Sequence, residues 1–421
     1  FTSGDSIPVN AGIPTNGIVE NKVIYIDRIY TIAGGNIKFV NCKFKMYAGA
    51  GISVRPFGST SAPVSIEFDH CDFFSCNVAW RGITVSVPGQ FSYSTMHHFN
   101  FHDCHVEGAK IGLYLSAGPK QSYSIFDNVF RNNATGIRNV PGPSLGQNTP
   151  FYAFNAVVAG NEFYVDHPLS VPLPALVGIE LERVAATIGV LGSTKRNYFH
   201  CLLWGIRATN CVTTVNNSTF EDMVNNNGSY SYGKGIEALD GSLKVEGCDF
   251  SGDASNFVEA SGTNLTVLSS DFSTRLDVSV TPNVLKSPLI GIYSHGNTHG
   301  EVINIGAVDK GNTFSMAEDR WAYGIQIERT AAPITNTSCQ VKYNDFTVSG
   351  NVASAACILV NDALAPAPDA LRIAWNTIFI NVPGIKSSVN GIHLKISESK
   401  NYIIDNNTVS YENDRTDNAG W

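Results

Sequence analysis

Charge is what this sequence has least of. Only 15% of its 421 residues are Asp, Glu, Lys or Arg, against about a quarter in an ordinary soluble chain. With 28 basic and 36 acidic residues the formal net charge is −8. That balance argues against a nucleic-acid binder, which needs clustered Lys and Arg to neutralise phosphates. Long apolar runs are missing as well, so no membrane insertion is expected. The nine cysteines contain no C-x-x-C pair, which removes the usual signature of a structural zinc or a thioredoxin-like site. Their odd number and scattered placement suit small buried thiols better than a disulfide framework. The opening residues, "FTSGDSIPVNAGIP", have neither the basic start nor the apolar stretch of a signal peptide. With no initiating Met, the chain reads as a mature or trimmed product. No segment keeps a convincing long helical period.

Turn-forming residues fill the space that charge leaves, including 38 Gly and 18 Pro. They punctuate a repeat. A small residue two places before Phe recurs as Cys42-Lys43-Phe44, Cys71-Asp72-Phe73, Asn128-Val129-Phe130, Asn161-Glu162-Phe163 and Asn197-Tyr198-Phe199. It continues as Ser218-Thr219-Phe220, Cys248-Asp249-Phe250, Ser270-Asp271-Phe272, Asn312-Thr313-Phe314 and Asn344-Asp345-Phe346, then degenerates to Asn376-Thr377-Ile378 and Asn407-Thr408-Val409. With Cys104-His105-Val106 this makes roughly thirteen copies at a mean period of about 30 residues, the range of a solenoid. A second anchor alternates with it, as in Gly51-Ile52, Gly136-Ile137, Gly178-Ile179, Gly235-Ile236 and Gly391-Ile392. Short alternating runs such as "GIEAL" and "GIHLKI" follow these anchors and read as strands with one buried face.

Three short strands per repeat cannot bury an apolar face alone, but stacked repeats can. The expected fold is therefore all-β, a right-handed parallel β-helix of roughly thirteen coils. Gly before Ile is expected to supply the backbone angle of a tight corner. Asn, Ser or Cys before x-Phe is expected at another corner, where Asn bonds nearby backbone. Residues 1–24 read as a cap over the first coil, and residues 25–421 as a single β-helix domain. Loop excursions are expected near 139–155, 165–177 and 274–311, where function would reside on a rigid scaffold. The final stretch, "SYENDRTDNAGW", reads as a frayed or truncated end.

Candidate chemistry is sparse. Asp249 and Asp271 hold the middle place of successive motifs, so they are expected to face outward side by side on adjacent coils. Such a pair could act as two carboxylates on a glycosidic bond or hold calcium, the one cofactor considered; a solvated polar face is the plainer reading. Trp80, Trp204 and Trp321 each precede a Gly-Ile anchor, where exposed rings could stack on sugars; corner packing is the alternative. His97, His98, His102 and His105 cluster in "HHFNFHDCHVEG". Alternation along a strand would let His98 and His102 point together, but the spacing matches no known ligand pattern, so no metal site is assigned. Cys42, Cys71 and Cys104 are expected to stack as a ladder of thiols.

The segments "IKFVNCKFKMYAGAGISV" and "CDFFSCNVAWRGITV" carry a resemblance. In this stretch, residues 35–140, the chain resembles the β-helix region of large secreted surface proteins of Bacteroidetes-type bacteria, within the pectin-lyase-like fold superfamily. The resemblance implies an extracellular or outer-surface location and an adhesive or structural role, and it offers no catalytic residues to carry over. Likeness to pectin-degrading families is one of fold only. The adjacent Asp-Asp of polygalacturonase-like enzymes is absent, as is the Arg-x-x-Pro-x-x-Arg of pectate-lyase-like ones, and "SHGNTHG" at 294–300 matches a Gly-His-Gly only superficially.

The sequence thus points to a secreted or cell-surface β-helix acting in adhesion, matrix or filament structure, without enzymatic activity. Its expected partners are surface glycans or copies of itself. The alternative is a polysaccharide lyase or glycoside hydrolase acting on an acidic polysaccharide, with Asp249 and Asp271 as its carboxylates.

Overall fold

Alternation decides the coil. In strand Ser65–Asp69 the pattern is half-buried, buried, half-buried, buried, half-buried, with Ile66 and Phe68 inside. In Asp345–Ser349 Phe346 and Val348 are inside while Asp345 and Thr347 face water. Successive side chains of a strand point to opposite faces, so each short strand contributes two residues or so to the interior. The computed structural model describes residues 6–8, 16–33, 35–55, 65–75, 79–85, 97–117, 121–141, 152–154, 156–166, 176–225, 231–274, 289–296, 301–317, 321–328, 338–349, 354–361, 371–382, 388–395 and 402–412. It is a right-handed parallel β-helix, as the repeat predicts.

The chain groups into two compact units, Phe1–Ser218 with Asn225–Ser229, and Thr219–Val224 with Tyr230–Trp421. In the first, each coil runs through three strands, such as Ser65–Asp69, Asp72–Ser75 and Ile83–Val85. Every one of these pairs in parallel with its equivalent on the next coil, Phe68 with Phe101 and Ile83 with Leu113. Segments inside the expected cap join the same sheets: Ser6–Pro8 pairs with Val23–Ile26, and Gly17–Glu20 with Asn36–Val40. Phe130, Phe163 and Phe199 form a face-to-face stack, 4.9 and 4.8 Å between rings.

The second unit repeats the plan. Phe250, Phe272, Phe314 and Phe346 are register partners on successive coils, and their rings stack at 4.7, 4.7 and 4.6 Å. Those distances are the strand spacing of a sheet, so the aromatic column is in step with the backbone ladder. Within the expected excursion at 274–311, strands Leu289–His295 and Ile303–Ile305 continue the coil. Residues 142–151, 167–175, 275–288 and 297–300, which hold the rest of the expected excursions, lie outside the described residues.

The corner before x-Phe is the most regular feature of both units. A residue with φ near +50° comes first, among them His70, Asp103 and Asp127 in one unit and Tyr343 and Trp375 in the other. The small motif residue follows it and is buried. Asn344 donates through its side chain to the Ile305 carbonyl and to Asn376 Oδ1, each 3.0 Å away, and accepts from the Asn312 backbone at 3.2 Å. Asn128, Asn161 and Asn197 repeat this in the first unit, passing from coil to coil at 2.8 and 3.2 Å. Where the motif has Cys42, Cys71 and Cys104, the thiols are free and buried, and they bond backbone carbonyls.

The Gly-Ile anchor meets the expectation at Gly82, whose φ is +104°, and departs from it at other coils. Of the anchors quoted, Gly178 and Gly136 do not need a left-handed backbone; they need the absence of a side chain. A Cβ on Gly178 would lie 2.6 Å from the Gly205 carbonyl oxygen and 2.7 Å from the Phe199 ring. Glycine is there so that the next coil and the Phe column can close in.

Candidate functional site

Outward residues of the Gly-Ile strands carry a polar network that runs across several coils of the second unit. Strand Lys234–Glu246 pairs with Asn256–Leu268, which pairs with Leu289–His295. Ile236, Val258 and Ile292 fill the interior, so the residue after each, namely Glu237, Glu259 and Tyr293, faces outward in one register column. Glu237 and Glu259 are nevertheless only 5% and 8% exposed. Carboxylates on a sheet surface are seldom covered to this extent unless paired.

Lys234 supplies the pairing. Its ammonium lies 2.5 Å from Glu237 Oε1 and 2.9 Å from Glu259 Oε2, bridging two coils. His295 Nε2 is 3.1 Å from Glu259 Oε1, and the Asn256 amide donates to the other oxygen. Burial pushes the Glu259 carboxyl up, but His295, Lys234 and Asn256 together outweigh it and bring the value from 4.5 to about 2. Glu259 is therefore an anion at any working pH. Burial pulls the Lys234 ammonium down, and its two glutamates more than restore it.

A second arm continues from Tyr293, whose ring stacks on His295 at 4.5 Å. The Tyr293 hydroxyl donates to Glu328 Oε2 at 2.7 Å, and the Gln326 and Asn361 amides donate to Oε1 at 2.6 and 3.2 Å. Burial raises the Glu328 carboxyl, and these three donors lower it further than burial lifts it. The tyrosine hydroxyl is pushed well above its ordinary range, first by burial and then by Glu328.

The pair expected from the sequence lies on the same two coils, at a different face. Asp249 and Asp271 are register partners as anticipated. Asp271 is exposed, Asp249 half-buried, and Asp271 accepts a bond from Thr313. The expected tryptophans divide. Trp80 is fully buried, donates to the Glu107 carbonyl at 2.8 Å and packs 6.5 Å from the Phe73 ring. It cannot stack on a sugar, because no face of the ring reaches water; the corner-packing alternative is what it does. Trp204 is half-buried, with the Arg207 guanidinium 5.2 Å over its ring. The side chain of Trp321 lies outside the described residues.

In the first unit the histidine cluster resolves into a different grouping. His98 and His102 do share the outward face of strand His97–His102. His102, however, meets carboxylates of its neighbouring coil: Nε2 is 3.0 Å from Glu67, and Nδ1 is 3.4 Å from Asp69. Among the described residues, the sets of three or more metal-type donors are Glu67, Asp69 and His102, and Asp69, His70 and Asp103. Neither includes Asp249 or Asp271. A cation already stands at Glu67 and Asp69, because Lys38 Nζ lies 2.8 and 2.9 Å from them. Both carboxyls are held below their ordinary values, burial being outweighed by Lys38 and by His102 or His70.

Comparison with known proteins finds no matching family model and no matching curated protein. Among solved structures, the chain is similar to the catalytic domain of a GH87 α-1,3-glucanase, seen once with tetrasaccharides and once with nigerose. Identity is 11% in both, and the TM-scores are 0.19 and 0.20. Each alignment covers 94% of this chain and 64% of the other, so this chain spans less than two thirds of those chains. At that distance no residue correspondence is taken from them. The non-enzymatic adhesive role expected from the sequence is corrected at this point. The Gly-Ile face carries a covered carboxylate constellation, Glu237 and Glu259 bridged by Lys234, that the sequence pattern did not reveal. No helix among the described residues is long and apolar enough to cross a membrane.

Proposed function

We propose that this chain is a carbohydrate-active enzyme that hydrolyses glycosidic bonds in a polysaccharide at the Gly-Ile face of its second unit. One observation carries the reading. Glu237 and Glu259 stand on adjacent coils, withdrawn from water and bridged by one ammonium. Glycoside hydrolysis needs a carboxylate facing the cationic sugar of the transition state and a second carboxyl to protonate the leaving oxygen.

Glu259, ionised throughout, takes the first role. Glu237, its register partner across the Lys234 ammonium, takes the second. Lys234 keeps the two carboxylates from repelling one another in the empty site, and a sugar ring entering between them would take its place. His295 and Asn256 orient Glu259 through its two oxygens. A polymer substrate is met outside the cell, so the same proposal places the chain among exported or outer-surface proteins, with glycans as its partners.

The test is release of reducing ends from a broad polysaccharide panel by wild type, E259Q and E237Q. Loss of cleavage in both variants, with the fold intact by circular dichroism, supports the reading. Full activity in E259Q, or no cleavage of any polymer by the wild type, would sink it. Proton NMR of the first product gives the configuration.

A further inference from the structure

We infer that the substrate of this site is a neutral glycan and not a polyanionic one; the inference rests on reading the site as a hydrolytic centre. It runs against the acidic polysaccharide considered from the sequence, and the charges around the site are the reason.

Three carboxylates meet there, Glu237, Glu259 and Glu328, against one ammonium, Lys234, and one imidazole, His295. Both cations are already engaged. Lys234 bridges Glu237 and Glu259, and His295 is bonded to Glu259. Glu328 has neutral hydrogen-bond donors, from Tyr293, Gln326 and Asn361. The cluster therefore carries no net positive charge, whether or not His295 is protonated and whether or not Glu237 holds the proton of the acid. Other described cations of this unit are committed elsewhere. Lys244 and Lys310 both pair with Glu246, and Arg372 pairs with Asp405 while lying over the Trp375 ring. Lys395 is exposed and follows Asn361 in the register column, beyond Glu328's amide donors.

A uronate carboxylate entering between Glu237 and Glu259 would meet like charge at close range, while the exposed cation of the column, Lys395, stands four coils from Glu259 along the ladder. A β-eliminating lyase has the same need in sharper form, since its substrate's carboxylate must be neutralised before the neighbouring C–H can be lost. A neutral sugar asks for something the cluster has. Ionised carboxylates are acceptor-only, and sugar hydroxyls donate to them; the Asn256, Gln326 and Asn361 amides can in turn donate to sugar oxygens. The anionic site also favours the positive charge that develops on the ring.

The experiment compares neutral hexose oligosaccharides with uronate oligosaccharides of equal length, by cleavage rate with wild type and by titration calorimetry with E259Q. Neutral chains are expected to be cut at least ~10-fold faster at low salt. Any residual uronate cleavage should rise when ionic strength goes from about 0.02 to 0.3 M, because salt screens the repulsion. E328Q removes one negative charge and should narrow the discrimination. Uronate chains cut or bound as well as neutral ones, or uronate cleavage falling with salt, would overturn this inference while leaving the hydrolase reading in place. If neither class is cut or bound, both readings fall.

Discussion

Two carboxylate pairs stand on the same two coils of this protein, and only one has the surroundings of an active site. Asp249 and Asp271 are register partners, as are Glu237 and Glu259. Sequence pattern, strand pairing and one-coil spacing are alike. The difference is the company each pair keeps. Asp271 is exposed and takes its bond from a threonine. Glu237 and Glu259 are nearly covered, and Lys234, Asn256 and His295 replace the water they have lost. A carboxylate out of water must find partners, and partners that fix its ionisation also fix its chemistry. Position in the repeat decides adjacency; environment decides reactivity.

The sharpest way to break that comparison is to remove each pair in turn. E259Q is expected to lower the cleavage rate by at least ~10³-fold, about 4 kcal/mol of transition-state stabilisation, while D249N/D271N stays within about twofold. Reducing-end assays on one substrate decide it, and the opposite ranking would return the site to the exposed pair. Stability gives the next contrast. K234M leaves two buried carboxylates without their shared cation and should destabilise the second unit by roughly 3–5 kcal/mol, read by denaturant unfolding. T313V, which removes the bond to Asp271, should cost no more than about 0.5 kcal/mol, as expected for a surface change.

Acid titration sharpens the same point. The Glu259 carboxyl is lowered from 4.5 to about 2 in the folded chain. A lowered carboxyl stabilises the fold at every pH above its unfolded value. That contribution, about 3 kcal/mol at ~1.4 kcal/mol per unit, is lost as pH falls from about 4.5 towards 2. Wild type should therefore lose stability over that window more steeply than E259Q; parallel profiles would show that the network does not hold the charge. A smaller effect is expected at the corner between the faces. N344A removes a side chain that bonds two other asparagines of the ladder and a backbone carbonyl, costing about 1–3 kcal/mol. It should do so without altering cleavage by the folded protein.

Much of the architecture was readable in advance because each rule is local. The small residue two before Phe is legible because a corner tolerates only a buried Asn, Ser or Cys there. Asn344 and Cys42 are both found in that place. The Gly-Ile anchor is legible as a position and only partly as a mechanism: Gly82 has the unusual backbone angle, whereas Gly178 answers to a carbonyl and a ring from other coils. For Trp80 the corner packing is what the structure shows, and no local pattern distinguishes it from an exposed ring. Its chain neighbours Ala79 and Arg81 give no sign of burial, while Phe73 and the Glu107 carbonyl that enclose it come from other strands. Glu237 and Glu259 were overlooked though both follow a Gly-Ile or Phe-Val pair by one residue. The outward places of those strands hold the signal, since Glu237 and Glu259 occupy equivalent positions one coil apart.

By itself the sequence determined the coil: three strands, two corners, and a column of Phe, Ile and Val that closes only by stacking. Such a repeat is written in short-range alternation, and hydrophobic burial reads it directly. Tertiary structure alone decided which carboxylates lose their water and which cations reach them. Lys234 meets Glu259, and Glu259 meets His295, across offsets of 25 and 36 residues, set by the length of each coil and its loops. Those lengths carry no period, so the charge pattern of the site exists only once the coils are stacked.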